Sequence, residues 1–393
     1  MKYRFSTMLV ALAIVLVAVP IAAARTTTGV PRAEAITSAG TILIAFEGPL
    51  TGSQASNGYD MLRGTKLAVR EINQAGGVLG MQLRLIAGND KADAATGVTV
   101  AKQLVAKHPY AVIGPYNSSV GIKNLPIYLS GGVLPVQLTS SDDTTGMGVT
   151  VQPKNSQISP VEIDWMKQNN AGKVSILWDP SSYTKGMADR MFGALNKQGV
   201  LVTKIKIDPT ATDFSAVVAQ ALTNNPDTVY VSTYFPQGAL IAKALRAEAA
   251  KGNPSRCFMG LANQDPGFVT DAGIAASARC TFSGVPTPQQ FGNPRAGAYV
   301  KNFTKLFGKA PGTWGTFTYD SVYALAAAIT TGNAIDVEAT TQAILKTDGL
   351  LGATGPITID PKTGNRPNVP IAILTVNSKG KFIVDSVVYG VSS

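Results

Sequence analysis

Two serines stand side by side where a buried strand should end. The apolar run Ala111-Val112-Ile113 breaks at Gly114-Pro115 and continues as Tyr116-Asn117-Ser118-Ser119. Two readings of this polar stretch are open. Ser and Asn are favoured at helix N-caps, so the hydroxyls could simply close a helix start. Hydroxyls and free backbone N–H groups at a helix N-terminus could equally seat a carboxylate or phosphate. Comparable polar clusters stand at 51–57, which includes Asn57, and at Thr139-Ser140-Ser141-Asp142-Asp143. Others are Ser181-Ser182-Tyr183, Tyr234-Phe235 and Asn263-Gln264-Asp265.

Catalytic patterns are scarce by contrast. There is one histidine, His108 in "AKHPY", so a histidine-based metal cluster is excluded. It precedes a strand, at the end opposite the polar clusters, and reads as a surface-loop residue. No G-x-S-x-G, G-x-x-x-x-G-K-[ST] or C-x-x-C occurs. "GGVLG" at 76–80 follows a helix and precedes a strand, the reverse of a dinucleotide loop, and reads as a turn. Asp142 and Asp143 have no nucleophile or metal partner in the pattern. A binding protein without cofactor or metal is the expectation, with an enzyme of similar layering as the competing class.

The elements that must position these clusters alternate regularly. "TILIAFEG" is a buried strand, the apolar spacing over 61–74 predicts a helix, and "MQLRLIAGND" alternates as the next strand. A helix is predicted over 93–107, then strands at "YAVIG" and "VLPVQL" with a helical stretch between them. A second series begins after "VQPKNSQ". It comprises strand "KVSILWD", helix 186–198, strand "VLVTKIKID", helix 214–223, strand "TVYVSTYF", helix 238–250 and strand "CFMG". Helices at 295–307 and 319–331 suggest a return to the first series, and "VPIAILTVN" and "KFIVDSVVYG" an antiparallel finish. Such alternation specifies α/β architecture: two doubly wound parallel-sheet lobes joined by a hinge that the chain crosses several times. The expected division is 36–154 plus 285–362 for one lobe and 155–284 plus 363–393 for the other. Open parallel sheets gather ligands at the carboxyl ends of their strands, where the polar clusters lie.

Bulk properties fit an exported globular protein. The 393 residues are 45% hydrophobic and 15% charged, enough for two full cores. Lys2 and Arg4 precede an apolar run from Met8 to Ile21 that ends in small residues, the pattern of an export signal. Cleavage is expected after Ala24 or Ala35. No cysteine follows the run, so no lipid anchor is expected. The formal charge of +10 falls to +7 without residues 1–35, which carry four basic residues and one acidic. The remaining cations are scattered, which argues against nucleic acid as a partner. Cys257 and Cys280 occur in similar contexts, "RCFMG" and "RCTFSG". A disulfide between neighbouring strands is expected in an exported chain, the alternative being two small buried thiols.

"EINQAGGVLGMQLRLIAGNDKAD", with "GPLTGSQASNG", "AVIGPYNSS" and "FMG", resembles the Leu/Ile/Val-binding protein family. These are extracytoplasmic substrate-binding proteins of branched-chain amino acid ABC importers with a type I periplasmic-binding fold. The resemblance runs from about Thr41 to Ser393. It implies that Ser118 and Ser119, with Ser140 and Ser141, hold the ligand carboxylate, and that Tyr183 and the pair Tyr234-Phe235 close from the other lobe. It places Asn57 in the side-chain pocket, at a position often aromatic in relatives. One departure stands out: where amino-acid binders carry an acid shortly after "FMG", this chain has Ala262 or Asn263. Either Asp265 or Asp142 meets the ligand ammonium, or the ligand is a carboxylate or amide without one. The resemblance further implies a small-molecule ligand, permease subunits as partners, a monomer, and a periplasmic or extracellular location. A ligand-sensing module remains a remote alternative.

Overall fold

A computed structural model describes residues 36–37 and 40–389, so the expected export signal lies outside the described residues. Two sheets organise the chain. In the first, β1 (Ile36–Thr37) pairs antiparallel with β2 (Thr41–Gly48), and β3 (Gln82–Asn89) and β4 (Ala111–Ile113) pair with β2 in parallel. β5 (Leu134–Val136) extends the sheet beyond β4. β2 is buried along nearly its whole length, as a covered parallel strand requires. The crossovers are α1 (Ala55–Gln74), α2 (Ala94–Val105) and α3 (Ser118–Ser130).

The second series is α4 (Asn155–Gln168), β6 (Lys173–Trp178), α5 (Ser182–Lys197), β7 (Leu201–Lys206), α6 (Ser215–Leu222), β8 (Thr228–Ser232) and α7 (Phe235–Ala250). It continues with β9 (Arg256–Met259), α8 (Pro266–Ala272), α9 (Ile274–Ser277) and β10 (Cys280–Gly284). Then come α10 (Pro294–Phe307), α11 (Trp314–Gly332), α12 (Val337–Ile344) and the small antiparallel pair β11 (Leu350–Gly352) and β12 (Gly355–Ile357). β13 (Pro370–Val376) and β14 (Phe382–Tyr389) add antiparallel strands to the second sheet, whose order is β14-β13-β10-β9-β8-β6-β7.

Parallel register sets Cys257 directly opposite Cys280 on β9 and β10, and the two form a disulfide with Cα atoms 4.5 Å apart. α11 packs on α1, and a Cβ on Gly64 would lie 1.9 Å from the Gly315 carbonyl oxygen. Side chains cannot enter that crossing. Asp60 of α1 accepts the N–H groups of Gly312 and Gly315 at 2.7 Å each, tying the start of α11 to the first sheet.

Segments that link the sheets are held by a buried arginine. Arg366 donates to the Thr354 hydroxyl at 2.7 Å and to the carbonyls of Thr354, Pro356 and Val151. Asp320 takes the N–H groups of Ala353 and Thr354 and the Thr354 hydroxyl.

Four helices start earlier than apolar spacing predicts: at Ala55 rather than 61, Ser182 rather than 186, Phe235 rather than 238, and Trp314 rather than 319. Their first turns mix polar residues and glycine with core aromatics such as Phe235, Trp314 and Phe317, so the helical apolar spacing is broken there. The strand read as "TVYVSTYF" stops at Ser232, since Phe235 already belongs to α7. α4 is unmarked in the sequence because Pro160 interrupts it and its polarity is mixed.

Candidate functional site

The polar clusters meet where the loops leaving the carboxyl ends of both sheets' parallel strands converge. β4 is followed by Gly114, whose φ of +119° only glycine adopts freely; a Cβ there would lie 2.1 Å from the Glu47 carbonyl oxygen. α3 then starts, with Asn117 as N-cap but no side-chain capping bond. Asn117 instead donates to Gln54 Oε1 at 2.8 Å. The Ser118 hydroxyl accepts the Ser141 N–H at 3.1 Å, joining the two serine segments directly. Ser119 points elsewhere: its hydroxyl accepts the Ser182 N–H at 2.9 Å and donates to the Ser182 hydroxyl at 3.2 Å. Neither serine caps α3 through its side chain.

The loop after β5 is bound largely to itself. The Thr139 hydroxyl contacts Gln137 Oε1 and the Thr144 hydroxyl. Ser140 accepts from Gln152 at 3.2 Å, and the Ser141 hydroxyl donates to the Asp143 carboxylate at 3.1 Å. Thr139 and the Ser141 hydroxyl therefore hold the loop in shape.

From the second sheet, Tyr183 lies in the first turn of α5 and Tyr234 at the N-cap of α7. Their rings are 5.9 Å apart, and Tyr234 meets Tyr116 at 6.4 Å. Trp314 closes the aromatic group at 5.8 Å from Tyr116. All four are buried. Burial pushes the Tyr234 phenol up, the Asp179 carboxylate adds to this, and Asn117 and Ser181 oppose it. Phe235 is not part of this group; it packs in the second sheet's core. Asn263 is fully buried and donates to the carbonyls of Thr233 and Gly260, so it shapes the loop after β9. Asn57 is buried in the first turn of α1.

Asp265 caps α8, accepting the Gly267 N–H at 2.6 Å, and its other oxygen takes the Ser56 hydroxyl from α1 at 3.3 Å. Burial raises its carboxyl to about 6, helped by the Asp60 and Asp271 carboxylates and opposed by the Gly267 and Ser56 hydrogen bonds. Asp142 is committed elsewhere. It accepts from the Ser156 hydroxyl at 2.7 Å and pairs with Arg190 of α5 at 2.7 Å. Asp142 is thus committed to Ser156 and Arg190, whereas Asp265 is held by one backbone N–H and one hydroxyl.

Sequence reasoning singled out neither Gln54, Ser56 nor Trp314, which with Ser182 complete the junction, nor Lys154, which lies buried beneath the serine loop. Gln54 and Ser56 belong to a cluster that was visible as polar. Nothing in "VQPKNSQ" marks its lysine as buried.

Two sheets whose loop ends face each other with hydroxyls, rings and the buried acids Asp90, Asp179 and Asp265 make a ligand-clasping protein of the two-lobed kind. Among the described residues no helix is long and apolar enough to cross a membrane, and no group of three or more His, Cys, Asp or Glu is placed to hold a metal. The periplasmic binding protein family model matches residues 41–381, and the chain belongs to that family. It is a solute-binding protein and not an enzyme. A relative, the Leu/Ile/Val-binding protein homolog 2 of Brucella abortus (strain 2308), is 29% identical over 333 residues, spanning 83% of this chain and 88% of its own. The leucine-binding protein LivK of Thermotoga maritima MSB8 superposes with a TM-score of 0.81 at 23% identity, over 89% of this chain and 99% of its own. An ABC-transporter solute-binding protein of R. palustris, solved with benzoate, gives 0.79 at 18% identity over 90% and 98%.

Proposed function

We propose that this chain is the extracytoplasmic receptor of an ABC importer and binds an apolar α-amino acid of the branched-chain type between its two sheets. Residues 36–154 with 285–362 form one lobe and 155–284 with 363–393 the other. The ligand carboxylate lies against Ser118 and Ser119 and the backbone of Ser140 and Ser141. Its side chain packs among Tyr116, Tyr183, Tyr234 and Trp314, with Asn57 at the pocket's edge. Its ammonium meets Asp265. The closed, ligand-bound monomer then docks on the permease. Closure is driven by contacts across the junction, such as Ser119 with Ser182 and Ser56 with Asp265.

The observation that carries this reading is the Asp265 carboxylate, buried at the junction and touched from the other sheet by Ser56. A desolvated ammonium needs such a partner. A second reading is favoured by the four buried rings and by Ala262 or Asn263 standing where the family resemblance leads one to expect an acid: an aromatic or aliphatic carboxylate without an ammonium.

Thermal melts with L-leucine, 4-methylpentanoate and benzoate decide between them. A ligand at about 1,000 times its Kd adds roughly 4 kcal/mol to stability, a shift of several degrees. A shift with L-leucine alone supports the amino-acid reading. Shifts with either acid and none with L-leucine support the second.

A further inference from the structure

The Lys154 side chain is completely buried behind the loop that leaves β5. Its ammonium donates to the carbonyls of Thr139 at 3.1 Å and Ser141 at 3.2 Å, to the Thr144 hydroxyl at 2.7 Å, and to Gln137 Oε1 at 3.5 Å. None of these acceptors is a carboxylate. The acids that act on it are Asp142 and Asp143, through space only. Asp142 is engaged by Ser156 and Arg190, and Asp143 by Ser141. A buried cation with no anion in contact is costly to keep. Burial lowers this ammonium to about 7.

The geometry of the loop gives that charge a direction. In a trans peptide the carbonyl and the following N–H point opposite ways. The carbonyls of Thr139 and Ser141 face the ammonium, so the N–H groups of Ser140 and Asp142 are turned away from it. A cation on the carbonyl side polarises each peptide unit and strengthens its N–H as a donor. Between those two groups lies the Ser141 N–H, which is bonded to Ser118. That N–H belongs to the intervening peptide, whose carbonyl accepts the Asn155 N–H at 2.7 Å, so the ammonium acts on the paired serines by its field across this short buried loop.

We propose that Lys154 is the charge-selecting residue of the site: its ammonium, buried against the back of the loop whose Ser141 N–H bonds Ser118, makes the serine loop take an anionic head group in preference to a neutral one. Lys154 touches no ligand and is a positioning residue. The inference rests on the reading that a carboxylate binds at Ser118 and Ser141.

Calorimetric titration at pH 6, below the value of about 7 at which this ammonium loses its proton, compares two acid–amide pairs, L-leucine with L-leucinamide and 4-methylpentanoate with 4-methylpentanamide, on the native chain, Lys154→Met and Lys154→Arg. The native chain should prefer the acid of whichever pair it binds. Lys154→Met should shrink that preference by about 10-fold or more, as for loss of a charge-assisted interaction, and Lys154→Arg should keep most of it. If Lys154→Met weakens acid and amide equally, or neither, the residue is only structural and the inference is overturned. Should Lys154→Met not fold, the lysine ¹⁵Nζ resonance of the native protein serves instead. It should move on adding the bound acid, and an unmoved resonance overturns the inference. If the native chain prefers neither acid to its amide, the carboxylate reading itself fails, and this inference with it.

Discussion

Asp265→Asn offers the sharpest test of the ligand's chemistry. The substitution keeps the shape of the side chain and an oxygen for the Gly267 N–H, and removes only the charge. Binding of an ammonium requires the ionised carboxylate, and burial has raised this carboxyl to about 6. At pH 7.5 nearly all of the free protein is ionised; at pH 5.5 only about a quarter is, so L-leucine affinity should fall about fourfold across that interval. The affinity for 4-methylpentanoate should change far less, since its site includes no demand on Asp265. In Asp265→Asn the L-leucine dependence should flatten, and affinity at pH 7.5 should drop by about 3 kcal/mol or more, as when a buried pair is broken. The free variant should melt no lower than the native chain. A carboxyl raised in the folded state contributes stability below its unfolded value of 3.8 that is lost as pH rises through about 6, so removing the charge at pH 7.5 relieves a cost. Calorimetric titration at the two pH values reads all of this. Equal pH slopes for both probes, or an unchanged slope in Asp265→Asn, would refute the assignment.

Other expectations follow from the same contacts. Ser118→Ala removes the acceptor of the Ser141 N–H and should weaken acid binding by about 1–3 kcal/mol in a calorimetric titration. Replacing both Cys257 and Cys280 with Ala opens a 23-residue separation and should cost about 3 kcal/mol by denaturant unfolding, while thiol titration of the unreduced native protein finds no free thiol. Gly64→Ala forces a Cβ against the Gly315 carbonyl oxygen and should destabilise by about 1–3 kcal/mol in thermal melts. Glu47 is raised to about 8, by burial first and the Asp90 carboxylate second. Its stabilising share is present below 4.5 and lost as pH rises through about 8, so the Tm should fall from pH 5 to 8, and less steeply in Glu47→Gln.

The residues differ in how far their neighbours in sequence betrayed them. Strand β2 announces itself because burial on both faces demands an unbroken apolar run, and α2 because one apolar face suffices to place it. The early starts of α1, α5, α7 and α11 were illegible for a matching reason: their first turns mix polar residues, glycine and core aromatics, and no helical periodicity survives. Phe235 and Tyr234 illustrate the limit within a single dipeptide. Both are aromatic and both follow the same strand, yet the start of α7 turns one ring toward Tyr116 and the other into the core.

By itself the sequence determined the alternation of strands and helices, hence two mainly parallel sheets with polar loops at the carboxyl ends of their strands. Local patterning suffices for this, because hydrophobic periodicity depends on which face of an element is covered and not on what covers it. It also carried the serine pairs, the paired cysteines and the missing acid after "FMG". Tertiary structure alone decided which polar groups are committed and which are available. Asp142 and Asp265 look alike in the chain, but Arg190 and Ser156 claim the first while only Ser56 and a backbone N–H hold the second. Lys154 reads as an ordinary surface lysine until the loop 139–144 folds over it. Commitment depends on partners tens to hundreds of residues away, and no local pattern records distances between them.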